Sequence, residues 1–132
     1  MQLARPRRRR ASSAVEFALL APLAFSLVFG IMDLTWCMMA WRTVISSAQV
    51  GARAGARIPL SDSPDRVAER QAQNALEATW PLFAPPSATY EGSIVSGNIV
   101  RIDVTVDFIP LVGFVSTPDT LGSFHQMQVE IE

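Results

Sequence analysis

Residues 5–41 read RPRRRRASSAVEFALLAPLAFSLVFGIMDLTWCMMAW, and this stretch decides the architecture. A basic run meets a small-residue approach, then an uncharged apolar run from Phe17 to Met32, then Asp33 and a second apolar run. A helix from about Ala14 to Cys37 would be roughly 35 Å long at 1.5 Å per residue, enough to cross a bilayer with some tilt. Five of the eleven basic residues, Arg5, Arg7, Arg8, Arg9 and Arg10, precede it, and all twelve acidic residues lie at or after Glu16. They outnumber Arg42, Arg53 and Arg57 on the other flank, which predicts a cytoplasmic N-terminus and an extracytoplasmic body. Trp36 and Trp41 are expected at the headgroup level of the far interface.

Glu16 needs an account, because an acid costs about 2.5–3.5 kcal/mol near the bilayer centre and something less at its edge. Two readings stand. Ser13-Ala14-Val15-Glu16 has capping-box spacing, in which both side chains would satisfy amides at a helix start. Alternatively, if the chain were cut after Ala11, Ser12 would be the new N-terminus, and Glu16 would lie where a neighbouring subunit's α-ammonium could pair with it. Asp33 is expected near the outer interface, snorkelling to water in preference to an intramembrane role. Pro22 leaves the carbonyl of Ala18 without its helical donor and predicts a kink. Gly30 offers a smooth patch for another helix. Cys37, the one cysteine, permits no intrachain disulfide and reads as a small apolar residue in the anchor.

Beyond the anchor, residues 42–57 continue the helix with a seam of Ala48, Gly51, Ala52 and Gly55, and Ile58-Pro59 ends it. The spacing of Gly51 and Gly55 suits close approach of a helix. Ser61–Ser63 reads as a loop. Ser63 as N-cap and Pro64 in the first turn open a second helix to about Trp80, with Ala68, Ala72, Ala75, Leu76 and Trp80 on one stripe. Pro81 closes it, and Pro85-Pro86 make a linker. Ser96-Gly97-Asn98 reads as a hairpin turn. Val100, Ile102, Val104, Val106 and Phe108 then alternate with polar residues in a half-buried strand that Pro110 ends. Leu111–Ser123 reads as a connecting loop with a few apolar side chains tucked inward, and Met127, Val129 and Ile131 mark a last strand.

The expected fold class is α+β: a long N-terminal transmembrane helix continuing into a small body with a second helix over a three-stranded antiparallel sheet. The expected divisions are a basic cytoplasmic leader (1–13), a transmembrane helix (14–41) and one extracytoplasmic body (42–132). With 132 residues there is little room for a second core.

Several chemistries find no support. Nucleic-acid binding needs a basic or aromatic-studded body, whereas residues 11–132 hold 6 basic against 12 acidic residues. His125 has no second histidine or cysteine at ligand spacing, and no serine sits in a nucleophile elbow. Asp103 and Asp107 alternate outward as solvated side chains. No enzyme activity, cofactor, metal or small-molecule substrate is expected.

The block RRRRASSAVEFALLAPLAFSLVFGIMDLTW, followed by RTVISSAQVGARAGAR, resembles the TadE-like family of Flp (tight adherence, Tad) pilus assembly proteins over about residues 8–57. Glu16 and Phe17 match that family's acidic-aromatic start to the anchor, Pro22 its proline, Asp33 its acidic position after Phe-Gly-Ile, and Gly51-Ala52-Arg53 its closing motif. The resemblance implies a pilin-like body and a minor pilin or assembly scaffold of an adhesive pilus, held in the bacterial inner membrane and acting by helix packing. Its partners would be pilus assembly proteins, pilin helices or further copies of itself. Some members resemble type IV prepilins and are cut by a prepilin peptidase after a glycine that precedes four residues and Glu-Tyr. Here Ala11 and Phe17 stand in those places, with Ser12 following the cut.

Two other classes compete with this reading. In an exported soluble domain the first forty or so residues would be a signal, but Ala11-Ser12-Ser13 follow the arginines where a twin-arginine signal has bulky apolar residues, and no small-x-small site closes the apolar run before Ser46-Ser47-Ala48. A membrane-anchored envelope binding domain unrelated to pili would share every feature of the anchor.

Overall fold

The computed structural model describes residues 7–80, 87–95 and 97–129, with residues 7–12 as backbone only. One helix, α1, runs from Arg7 to Ala56 and continues through Pro22. Because it is already helical at Arg7, the Ser13–Glu16 tetrapeptide lies inside the helix and not at its start. The amides there have helical carbonyl partners upstream, so the capping-box reading is corrected. Hydroxyls within α1 fold back on their own carbonyls, Ser26 Oγ donating to Leu23 O (2.8 Å), Thr43 Oγ1 to Met39 O (3.1 Å) and Ser47 Oγ to Val44 O (2.8 Å). This satisfies polar groups that an apolar surrounding cannot serve.

A short 3-10 turn, Leu60–Asp62, leads to α2, Pro64–Thr79. Ser63 precedes it in the left-handed region (φ 54°) and makes no side-chain cap, so the reversal of the chain and Pro64 open the helix instead of the expected serine cap. Pro64, Ala68, Ala72 and Leu76 form its buried stripe, and the Trp80 amide closes it on Leu76 O at 2.9 Å.

Three strands follow, β1 (Ala88–Val95), β2 (Ile99–Asp107) and β3 (Thr120–Gln128), in spatial order β1-β2-β3 with both pairs antiparallel. Gly97 takes the positive φ (80°) that the β1–β2 reversal needs. β3 begins at Thr120, inside the segment read as a connecting loop, because Leu121 pairs with Val106 and joins the core. Arg5, Pro81, Pro85, Pro86, Ser96 and Ile131, which carried earlier expectations, lie outside the described residues.

The even residues of β2 from Val100 to Val106, with Phe108 beyond it, turn inward against both helices, with Leu121 and Val129 beside them. Buried hydrophobic side chains here and on α2 supply the main driving force of the fold. α2 also approaches β1 closely, where Glu69 Oε1 accepts the Gly92 amide (2.8 Å) and a Cβ on Gly92 would fall 2.6 Å from Asp65 O. On the outer face Arg101 makes a paired contact with Asp103 (2.7 and 2.8 Å) and lies 4.7 Å above the Phe124 ring. The hydrogen bond to Asp103 holds the Arg101 pKa above its ordinary value. Asp103 is therefore an ion-pair partner as well as an outward-facing carboxylate.

Candidate functional site

α1 divides into two halves of different character. From Asp33 onward, Trp36, Ala40, Val44, Ala48, Ala52 and Ala56 recur at helical spacing and are buried by α2 and the sheet. From Ser13 to Met32 apolar side chains face outward all round the helix, Phe17 being 71 % and Leu19 74 % exposed. Glu16 and Pro22 lie on this same bare half and are exposed. The bare half is about 20 residues, or ~30 Å at 1.5 Å per residue, which is the thickness of a bilayer's hydrocarbon core. Within Ser13–Ala56 the most apolar window is wholly unburied by the chain itself, and this is the one stretch among the described residues that is long and apolar enough to cross a membrane.

At the junction of the two halves the structure overturns one expectation. Asp33 does not reach to water; it is fully buried, and its carboxylate receives the backbone of a distant loop. Val112 N donates to Oδ1 at 2.8 Å, Phe114 N to Oδ2 at 2.7 Å and Val115 N to Oδ2 at 3.4 Å. Gly113, at φ 75°, supplies the left-handed residue that turns successive amides toward one anion. One turn further along α1, Trp36 Nε1 donates to Ile109 O at 3.1 Å. Trp36 is 7 % exposed and meets the Trp80 ring edge-on (6.5 Å, 83°), so it is a core residue and not a headgroup anchor, whereas Trp41 is 51 % exposed. One turn back, a Cβ on Gly30 would meet Val115 Cγ2 at 3.4 Å, so the patch expected to receive another helix receives this loop.

The loop differs from expectation in a second way. Of the apolar side chains expected to tuck inward between Leu111 and Ser123, Leu121 does so, whereas Leu111, Val112, Phe114 and Val115, with Ile109 before them, point outward, none less than 40 % exposed. With its backbone facing Asp33 and Trp36, the segment has its apolar side chains left to face the surroundings.

The small-residue seam also finds its partner inside the chain. A Cβ on Gly51 would come 2.6 Å from Ala68 O and 2.8 Å from Ala72 Cβ. One on Gly55 would come 2.8 Å from Pro64 O and 3.0 Å from Ala68 Cβ. Ala48 and Ala52 are fully buried in the same contact. The seam is covered by α2 and is not open to a partner helix, which corrects the packing role expected for Gly51, Ala52 and Gly55. Ala11, Ser12 and Arg7–Arg10 lie on the helical backbone at the start of α1. Among the described residues no group of three or more His, Cys, Asp or Glu side chains could hold a metal ion.

The loop's acceptor lies 79 residues before its first donor, so no local pattern announced it. The available signals were one acid in the otherwise uncharged stretch from Phe17 to Trp41 and one glycine within the apolar segment IPLVGFV.

No curated protein and no solved structure matches the chain. Residues 11–53, from the small-residue approach through the bare half of α1 to the seam against α2, match the family model for TadE-like protein, so that this third of the chain is similar to that family.

Proposed function

We propose that this chain is a single-pass inner-membrane component of a Tad (Flp-type) adhesive pilus, serving as a minor pilin or assembly scaffold through helix packing. The TadE-like match over residues 11–53 supports an association with such pili. The observation that carries the membrane part of the reading is the division of α1 into a bare apolar half and a half sunk in its own body. In this reading residues 13–32 lie in the bilayer, the arginine tail stays in the cytoplasm, and the body stands outside it on the continuation of the same helix.

Since the seam on the distal half is occupied by α2, packing against neighbouring subunits is assigned in this reading to the bare half, with Glu16 and Phe17 near its cytoplasmic end and Pro22 further in. A carboxylate at that depth gains from a cationic or hydrogen-bonding partner on another helix. The test is Glu16→Ala in the native host. Pili, or recovery of partner proteins, should be lost while the variant still accumulates in membranes; normal piliation would refute the role of Glu16.

A further inference from the structure

We propose that residues 109–115 form a second membrane contact, an apolar loop that dips into the outer leaflet beside α1 while Asp33 and Trp36 hold its backbone. The inference rests on the reading that the bare half of α1 crosses the bilayer.

Irregular backbone is barred from lipid because the hydrocarbon supplies no partners for its amides and carbonyls, and it is tolerated only where protein supplies them. Here protein does. The amides of Val112, Phe114 and Val115 are taken by Asp33, the carbonyl of Ile109 by Trp36, and Pro110 has no amide to satisfy. Phe108 N, at the loop's start, donates to Asp119 O at 2.8 Å. No charged residue occurs from Phe108 to Pro118.

Position selects the occupant. The loop docks on the Gly30–Asp33 turn, where α1 passes from apolar exposure all round to burial of one face, so the exposed side chains of Ile109, Leu111, Val112, Phe114 and Val115 extend the apolar surface of the helix sideways. A surface continuous with a lipid-facing helix is matched by acyl chains. Gly30 lies about 4.5 Å along the helix axis from Asp33 toward the membrane centre, so the contact is shallow. An apolar loop beside a helix gives the body two points of attachment, which fixes its height and its rotation about α1. On this reading the buried acid in the anchor makes a lipid-facing loop possible.

The experiment uses the full chain in a Cys37→Ala background, with single cysteines introduced as Phe114→Cys, Phe25→Cys or Gln73→Cys. Each is labelled with an environment-sensitive fluorophore and placed in phosphatidylethanolamine–phosphatidylglycerol vesicles. The Phe114 site should be quenched several-fold more strongly by nitroxide lipids labelled near the headgroup than by aqueous iodide, the Phe25 site by nitroxides near the bilayer centre, and the Gln73 site by iodide alone. Iodide access at Phe114 equal to that at Gln73, with Phe25 still lipid-quenched, would overturn the loop proposal and leave the anchor standing. Iodide access at Phe25 would overturn the anchor reading itself. Lipid quenching at Phe114 that disappears as protein density in the vesicles rises would overturn the proposal in favour of a second copy as occupant. Asp33→Leu removes the acceptors and should raise iodide access at Phe114 several-fold with Phe25 unchanged; no change would overturn the role given to Asp33.

Discussion

Gly51→Ala separates two opposed effects within one helix. By propensity alone, alanine at a helical glycine stabilises by about 1 kcal/mol. At Gly51 the new Cβ would sit 2.6 Å from Ala68 O and 2.8 Å from Ala72 Cβ, whereas ordinary contact begins near 3.4 Å. One of those neighbours is backbone, so α2 itself must retreat by most of an ångström and loosen Ala68, Ala72 and Leu76 from the sheet. Overpacking costs about 1–3 kcal/mol, and a clash with backbone at 2.6 Å puts this one in the upper part of that range, about 2–3 kcal/mol, which leaves a net destabilisation of about 1–2 kcal/mol after the propensity gain. Gly30→Ala in the same helix is the control, because its Cβ would meet only the end of the Val115 side chain at 3.4 Å. There the propensity gain of up to about 1 kcal/mol is opposed by little, so stability is unchanged or slightly raised. The assay is amide hydrogen exchange at Ile102 and Val104, the fully buried centre of β2, in lipid nanodiscs. Gly51→Ala should speed their exchange about 5–30-fold, and Gly30→Ala should not. If Gly51→Ala slowed exchange, or matched Gly30→Ala, the argument that the seam is filled by α2 would fail.

Tyr90 is the only tyrosine, and burial, aided by the negative charge of Glu77, raises its pKa above 10.0. The unfolded chain releases this proton near pH 10 and the native state only at higher pH, so stability falls as pH rises through that interval; a tyrosinate absorbance midpoint at or below 10.0 in the native protein would contradict this. The mature chain recovered from host membranes should retain the arginines, because Ala11 and Phe17 stand where the cleaved prepilins it resembles have glycine and tyrosine. A mass beginning at Ser12 would instead assign the chain to the filament.

Periodicity was legible wherever one face was buried by regular structure. The alternation from Val100 to Val106 located β2 because every second side chain is core, and the alanine stripe of α2 with Leu76 located that helix. β3 was harder, since its inward side chains include Ser123 and His125 as well as Leu121, and the alternation weakens where polar residues share the inner face. The small-residue seam was visible in the sequence, but spacing does not say which helix will fill it, and the intrachain partner lay beyond a turn. Trp36 was ambiguous for a similar reason, because an indole at the end of an apolar run suits both a headgroup and a core. The Asp33 contact was the least legible. It joins a side chain to backbone amides, so no residue type in the loop needed to advertise it.

α1 has no break between Ser13 and Ala56, and this makes the orientation of the body a matter of helical phase. Each residue inserted between the bare half and Asp33 would lift the sheet by about 1.5 Å and turn it by roughly 100° about the helix axis, while one removed would do the reverse. A chain with a flexible joint at that level would absorb such changes; this one would carry them to every surface of the body. Length in the span is thus also an angular setting.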